Sequence, residues 1–271
     1  MKNGDTNQRG RLNKSLPEFY YNHISYTDTA KFHTHCHNEY EMLFFISGSA
    51  KYLIEGRTYP LKKYDLIITR PMQYHNIELE CSEKYSRYDV LITHSPELVS
   101  MLSSLSEKFE VVNCAELPNV VECFKKIDYY HKHLPRVDFN IILNNLLVEV
   151  CYNLIINDTL ASKEPVPSSK VVLAALDYIN ANLFTIKDIK EVCEHVFLSE
   201  NHFFKLFKEQ MKTSPKKYIT SKRLLSAQRM LLDGARPTNI YEQCGFNNYI
   251  SFYQRYTEYF GHAPSEERHG D

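Results

Sequence analysis

Several absences narrow the reading of this 271-residue chain. No apolar run approaches the ~20 residues of a membrane-spanning helix, so no membrane partner is expected. Residues 1–14 are polar and basic and lack the apolar core of a secretory signal. Residues 1–17 are therefore expected to form a disordered arm, and the protein to be cytoplasmic. The seven cysteines include no C-x-x-C pair, and their odd number argues against a disulfide framework. No phosphate-binding loop and no Ser/His/Asp order supports a nucleotide enzyme or a hydrolase. Neither an enzyme activity nor a cofactor is expected. Net charge is close to nil, at −1, and the 43% hydrophobic and 24% charged fractions are ordinary for a globular protein of one or two domains.

What is present is a repeat in the last hundred residues. One copy runs Ile189, Val192, Cys193, Val196, Leu198, Ser199, then Phe203, Phe207 and Pro215. A second runs Pro237, Ile240, Tyr241, Cys244, Phe246, Asn247, then Phe252, Tyr256 and Pro264. The front halves are offset by 48 positions and the back halves by 49. Each copy reads as two helices joined by a tight turn. Asp188 and Glu191 have the spacing of a capping box, and Ser199 suits the cap of the following helix. Pro237 suits a first helical position, Gly245 a left-handed turn, and Gly261 a helix stop. Two such units, each presenting one helix, are what is needed to enter successive major grooves of double-stranded DNA.

The charge distribution agrees. Between Lys205 and Arg229 there are eight basic residues (205, 208, 212, 216, 217, 222, 223, 229) and one acidic residue, whereas 233–271 holds three basic and six acidic. Lys208, outward on the first unit's second helix, and Lys216, at the start of the joining helix, are expected at the DNA, Lys216 on phosphate.

At these residues the chain resembles the AraC/XylS-type transcription regulators. Ile189-Lys-Glu-Val192-Cys193, Leu198-Ser199, Phe203 to Lys208 and Ser214-Pro215 resemble the first half of that family's DNA-binding domain. Gly245-Phe246, Phe252, Tyr256, Tyr259-Phe260-Gly261, Pro264 and Arg268 resemble the second. The resemblance implies two helix-turn-helix units joined by one long helix, about 215–232. It implies base-facing roles for Asn201, Phe204 and Lys205 in the first unit, and for Tyr249, Ile250, Ser251, Tyr253 and Gln254 in the second. Four positions depart from the family pattern: Tyr241 where a small Ala is usual, Pro237 for an apolar residue, Lys212 for Gly, and Glu267 for an aromatic. RNA polymerase is a further candidate partner.

The amino-terminal half alternates and turns like a β-rich domain. Expected strands are Glu18–Tyr26, 39–46, Ala50–Ile54, 58–61, Asp65–Thr69, His75–Leu79 and 86–92. His35, His37, Glu41 and Gly48 resemble the first motif of the cupin barrel, and Pro71 to His75 a shortened second. His35, His37 and Glu41 share one strand parity. They are expected to meet His75 inside the barrel and line the site of a small polar inducer such as a sugar. In metal-binding cupins the same four positions would be ligands, so a metal site is a further option and a purely structural role a third. A second His-x-His pair, His131 and His133, has no such company.

Residues 96–157 read as helical. In 138–157 a stripe of Phe139, Ile142, Leu143, Leu146, Leu147, Val150 and Leu154 is joined by Ile141, Val148, Ile155 and Ile156 outside it. A helix apolar on more than one side must be covered on more than one side. A homodimer is expected, with a helix buried within one domain as the alternative; Leu147 or Leu154 would mark the interface if it faces the partner and not the barrel. Residues 158–169 read as a polar linker. The expected fold is α+β: residues 18–165 a cupin-like β-barrel with a helical dimerisation segment, and 166–271 an all-α tandem helix-turn-helix domain. The expected function is a ligand-responsive, sequence-specific DNA-binding transcription regulator. The alternative is a metal-dependent cupin enzyme fused to a helical domain.

Overall fold

The computed structural model describes residues 17–26, 32–80, 84–105, 109–157, 163–166 and 168–268. The expected disordered arm lies outside them, apart from residue 17.

Among the described residues, eight strands build the first half: β1 Glu18–Tyr26, β2 Tyr40–Ser47, β3 Ala50–Ile54, β4 Arg57–Pro60, β5 Asp65–Thr69, β6 His75–Leu79, β7 Tyr85–His94 and β8 Val111–Asn113. They form two sheets, in the orders β1-β7-β2-β5-β8 and β4-β3-β6. Along β2 successive side chains alternate sides. Leu43 and Phe45 join the cluster between the sheets with Tyr52, Ile54, Ile67 and Ile77. Met42 and Phe44 join the cluster under the helices. The strand is therefore apolar on both faces. Gly48 turns β2 into β3 at φ 113°, and a Cβ there would sit 3.1 Å from the Tyr85 backbone, so the turn requires glycine.

Three helices, α1 Pro96–Ser104, α2 Pro118–His133 and α3 Arg136–Ile156, cover the outer face of the larger sheet. The Phe44 and Phe124 rings stack at 4.3 Å across this layer. The reading of 96–157 as wholly helical needs correcting. Val111–Asn113 is strand β8, paired with β5 through Asp65↔Asn113. It is too short for a periodic signal, and its register comes from the β5 edge.

α3 also corrects two expectations. It is 21 residues long and apolar enough, by length and composition, to cross a membrane. Its asparagines interrupt the apolar run without lowering the average below that of a span. The helix nevertheless packs against α2 and the sheet. Leu143, Leu147, Val150 and Leu154 are wholly buried, each contributing about 1.5–3 kcal/mol. Leu147 and Leu154 are thus core residues of the chain itself and do not face a partner. The side left open carries Val137, Ile141, Tyr152, Ile155 and Ile156.

Nor is the 158–169 stretch a free spacer where it is described. Lys163 N–H donates to Val111 O at 2.8 Å, Val166 N–H to Thr58 O at 2.8 Å, and Ser168 Oγ to Gly56 O at 2.8 Å. The chain runs along the barrel before α4 begins.

The second half contains α4 Lys170–Ala181, α5 Ile189–His195, α6 Glu200–Met211, α7 Pro215–Leu232, α8 Pro237–Ile240 and α9 Tyr249–Phe260, closed by a 3-10 turn at Pro264–Arg268. The Asp188/Glu191 capping box starts α5. Ser214 and Asn248 cap α7 and α9 through their side chains, whereas Ser199 holds the cap position of α6 without a side-chain bond. α7 is the shared wall. Tyr218, Ile219 and Leu225 belong to the first unit's core, and Leu224, Ala227 and Leu231 to the second's.

Candidate DNA-reading face and sensor cluster

On α6, Asn201, Lys205 and Lys208 are exposed, as is Lys216 at the start of α7. The three lysines have no ion-pair partner among the described residues. Phe204 is half-buried against the first unit's core and meets Phe203 edge-on at 6.3 Å. Its i+1 position beside Phe203 puts it at the edge of the apolar stripe, so only part of the ring faces outward. On α9, Ile250 is 70% exposed, Tyr253 and Gln254 are exposed, and Tyr249 and Ser251 are half-buried.

The basic field is smaller than the sequence count. Lys222 is buried and pairs with Glu55 at 3.0 Å. Arg223 donates to the carbonyls of Leu183, Ile186 and Gly245 at 2.6–2.8 Å. It ties the second unit's turn to the first unit, and it explains Gly245: at φ 78° a Cβ would sit 2.8 Å from the guanidinium.

The departures from the family pattern have physical places. Pro237 opens α8 at its first turn. Tyr241 is half-buried, its ring 6.0 Å from Tyr249. Lys212 ends α6 in the left-handed region. The Glu267 carboxylate, 5% exposed, accepts from Gln228 Nε2 at 2.7 Å and Tyr256 OH at 3.0 Å.

In the barrel, His35, His37, Glu41 and His75 converge, with one ligand atom from each lying within 4.8 Å of the others. His35, His37 and Glu41 do not share one strand as their parity suggested, whereas His75 does approach from another. Glu41 sits on β2 and His75 on β6, His35 bridges to His75 in an isolated backbone pair, and His37 lies in the turn between. The ring centroids of His35 and His37 are 4.3 and 4.9 Å from that of His75. Glu41 Oε2 is 3.0 Å from His37 Nε2 and 3.3 Å from His75 Nε2.

Each imidazole is oriented the same way. Nδ1 of His35, His37 and His75 lies 2.9, 3.1 and 2.9 Å from the carbonyls of His33, Glu39 and Gln73. A carbonyl only accepts, so each Nδ1 carries a proton and each Nε2 is left to face the centre. His75 Nε2 is buried without an aligned partner. Burial raises the Glu41 acid, but the hydrogen bond from His37 and the closeness of His75 outweigh it and hold the carboxyl well below its usual range. Burial lowers the basicity of His37 and Glu41 more than restores it, for a net rise. Burial and the neighbouring His75 push His35 down to about 4. Three imidazoles and a carboxylate with inward Nε2 atoms are a donor set that fits a divalent transition metal.

Sequence reasoning missed the polar groups beside this cluster. Arg87 and Asp89 pair at 2.7 Å on β7, opposite Phe45 and Leu43 of β2. Burial, together with Glu41, pushes the Asp89 acid up to about 7 against the pull of Arg87. Tyr52 OH meets Thr69 Oγ1 at 3.1 Å, and its ring stacks on His75 at 6.1 Å. The available signal was a pair of opposite charges at i, i+2 within one strand. The other His-x-His pair is elsewhere: His131 packs on Tyr21 and Phe139, and His133 on Tyr129.

Residues 17–122 match the family profile of an AraC-like ligand binding domain, and residues 192–270 that of a helix-turn-helix domain. The chain is 31% identical over 96 residues to the lactose operon transcription activator of Staphylococcus xylosus, covering 35% of this chain and 34% of that protein. It is 28% identical over 139 residues to the raffinose operon transcriptional regulatory protein RafR of Pediococcus pentosaceus, half of each chain. Among solved structures, ToxT from Vibrio cholerae aligns over 93% of this chain and 99% of that one, at 15% identity and a TM-score of 0.40. The matches span about a third to a half of the length of these curated relatives.

Proposed function

The chain belongs to the AraC family by both its halves, an AraC-like ligand-binding domain leading into an AraC-type helix-turn-helix domain, and from that premise we propose that it is a transcription regulator that binds double-stranded DNA and alters that binding when a small polar molecule enters the barrel. The observation that carries the reading is the pairing of two capped helix-turn-helix units on one shared helix with a polar, partly open cluster in the barrel. Asn201, Lys205, Lys208, Lys216, Ile250, Tyr253 and Gln254 supply the DNA face, with Phe204, Tyr249 and Ser251 at its edge. The described polar lining favours a hydroxylated ligand over an apolar one. Two relatives named for the lactose and raffinose operons make a sugar the first class to test.

The open apolar side of α3 supports a homodimer, and residues 18–165 and 166–271 are proposed as its sensor and reader halves. A second reading of the cluster, as the seat of a divalent transition metal, is favoured by the three inward Nε2 atoms. A thermal-shift screen of sugars and of Zn²⁺, Ni²⁺ and Mn²⁺ separates them. Under the first reading a sugar raises the melting temperature and His37→Ala or Glu41→Ala abolishes that rise. Under the second the purified protein carries near-stoichiometric metal and a chelator lowers its melting temperature. If neither sugars nor metals shift melting, the four side chains are structural. Turnover requiring bound metal would instead favour the cupin-enzyme alternative.

A further inference from the structure

Among the described residues, three of the four sheet edges are closed by the chain itself. On β8, Val111 O accepts Lys163 N–H at 2.8 Å; on β4, Thr58 O accepts Val166 N–H at 2.8 Å; on β6, His75 exchanges backbone hydrogen bonds with His35 at 3.1 and 2.9 Å. β1 is the fourth edge. It pairs with β7 on one side, and no described segment pairs with its other side. At 9 residues it is also the longest edge, against 3 for β8, 4 for β4 and 5 for β6.

A strand edge offers a row of N–H and C=O groups to another strand, and proteins blunt it with shortness, lysine, proline or a bulge. β1 reads Glu-Phe-Tyr-Tyr-Asn-His-Ile-Ser-Tyr, with no Lys, Arg, Pro or Gly. Its register with β7 shifts only between Glu18 and Phe19, at the very start. His23, the one basic side chain, is held within the chain by Asp128 and Ser86, each at 3.0 Å. Resting on the homodimer reading, we infer that β1 is the pairing edge of that dimer: it meets β1 of a second copy antiparallel, about a two-fold axis at Asn22, and joins the two larger sheets into one.

The sequence suits its own copy. With Asn22 opposite Asn22, Tyr20 of each copy falls opposite Ile24 of the other, an aromatic against a β-branched residue, a favourable cross-strand pair. Glu18, the one acidic residue of the strand, falls at the far end from its counterpart, so no like charges meet. The edge is also continuous with the open side of α3. Arg136 lies over the Tyr20 ring at 6.0 Å, and Phe139 meets Tyr21 at 5.6 Å, so the first turns of α3 sit at this edge. Tyr20, Val137 and Ile141 are 48%, 56% and 41% exposed. A stable interface buries about 1,200–2,000 Å² in total. One strand pair falls short of that, and the apolar side chains of α3 beside it add to the buried area.

Cysteine cross-linking of the full chain tests the register. Opposite Cα atoms of antiparallel strands lie about 4.5–5.5 Å apart, within the reach of a disulfide, about 4.4–6.8 Å. Asn22→Cys is therefore expected to give a covalent dimer on mild oxidation, read as the linked peptide by mass spectrometry; the six described native cysteines are buried. Tyr20→Cys alone is expected to stay unlinked, since its own counterpart lies four residues away, about 13 Å. Ile24→Cys alone should behave likewise, and the two proteins mixed should link to each other. Tyr20→Lys with Ile24→Lys, with native circular dichroism, is expected to raise the dimer dissociation constant at least several-fold in sedimentation. A wild type that sediments as a dimer, with Asn22→Cys unlinked, would overturn the edge pairing and leave the homodimer reading standing; the edge would then belong to another segment or another protein. Equal linking at positions 20, 22 and 24 alone would mean random collision and overturn it too, as would a lysine pair without effect on the dimer. A wild type monomeric at high micromolar concentration would overturn both readings.

Discussion

Lys212 stands where the family resemblance places glycine, and the structure shows what that substitution does. It closes α6 at φ 56° and ψ 15°, with its N–H bonded to Lys208 O at 3.0 Å. An L-residue in this region is disfavoured by about 1–2 kcal/mol, and glycine is not. The side chain returns a little through its ion pair with Glu78 at 3.2 Å. Both partners are about 40% exposed, so the pair contributes about 0–1 kcal/mol. Glycine also loses more backbone freedom on folding, which offsets part of the relief. Lys212→Gly is therefore expected to stabilise by about 0.5–1 kcal/mol, a rise of about 1–4 °C in melting temperature for a chain of this size. Lys212→Ala loses the ion pair and keeps the strain, so it should melt below wild type. Differential scanning calorimetry of the three proteins at one concentration checks both. A glycine variant that melts below the alanine variant would refute the reasoning.

Three further outcomes are expected. Glu267→Ala strands Gln228 Nε2 and Tyr256 OH in a buried site and should cost about 2–4 kcal/mol; chemical denaturation showing a negligible loss would contradict the role given to Glu267. Lys205→Ala should weaken specific DNA binding by about 1–3 kcal/mol and relax preference at one base, whereas Lys216→Ala should weaken all sequences alike and reduce the salt slope by about 1; equal loss of specificity from both would dissolve the distinction. Ile141→Glu with Ile155→Glu, on the open side of α3, should leave a folded monomer in sedimentation, while Leu147→Glu, wholly buried, should not fold.

Much of this molecule was legible in the chain because local rules and global packing agree. Seven strands fall within one or two residues of where alternation and turns put them, since each has one face on the inter-sheet core. The Asp188 capping box and the left-handed Gly245 and Gly261 are local backbone chemistry, readable without knowing what packs on them. The larger failures are long-range. β8 exists because β5 has an edge to pair. Leu147 and Leu154 face the sheet, a fact decided by what lies under α3 and not by its periodicity. Lys222 counted as one more positive charge in a basic stretch, yet Glu55, 167 positions earlier, buries it. The four cluster residues could be named from motif resemblance, but their convergence through a bridge and a turn could not, nor could the partnership of Arg87 and Asp89.

The central claim is that two units on one helix read DNA as a pair. Selection of binding sequences from a random duplex pool by the full-length protein, with high-throughput sequencing of the bound fraction, tests it most directly. The account predicts a bipartite motif, two short elements with centres about one helical turn, ~34 Å, apart, and loss of the first element when Lys205 and Asn201 are replaced by alanine. A pool that emerges with no enriched sequence, or with a motif unchanged by those replacements, would contradict it.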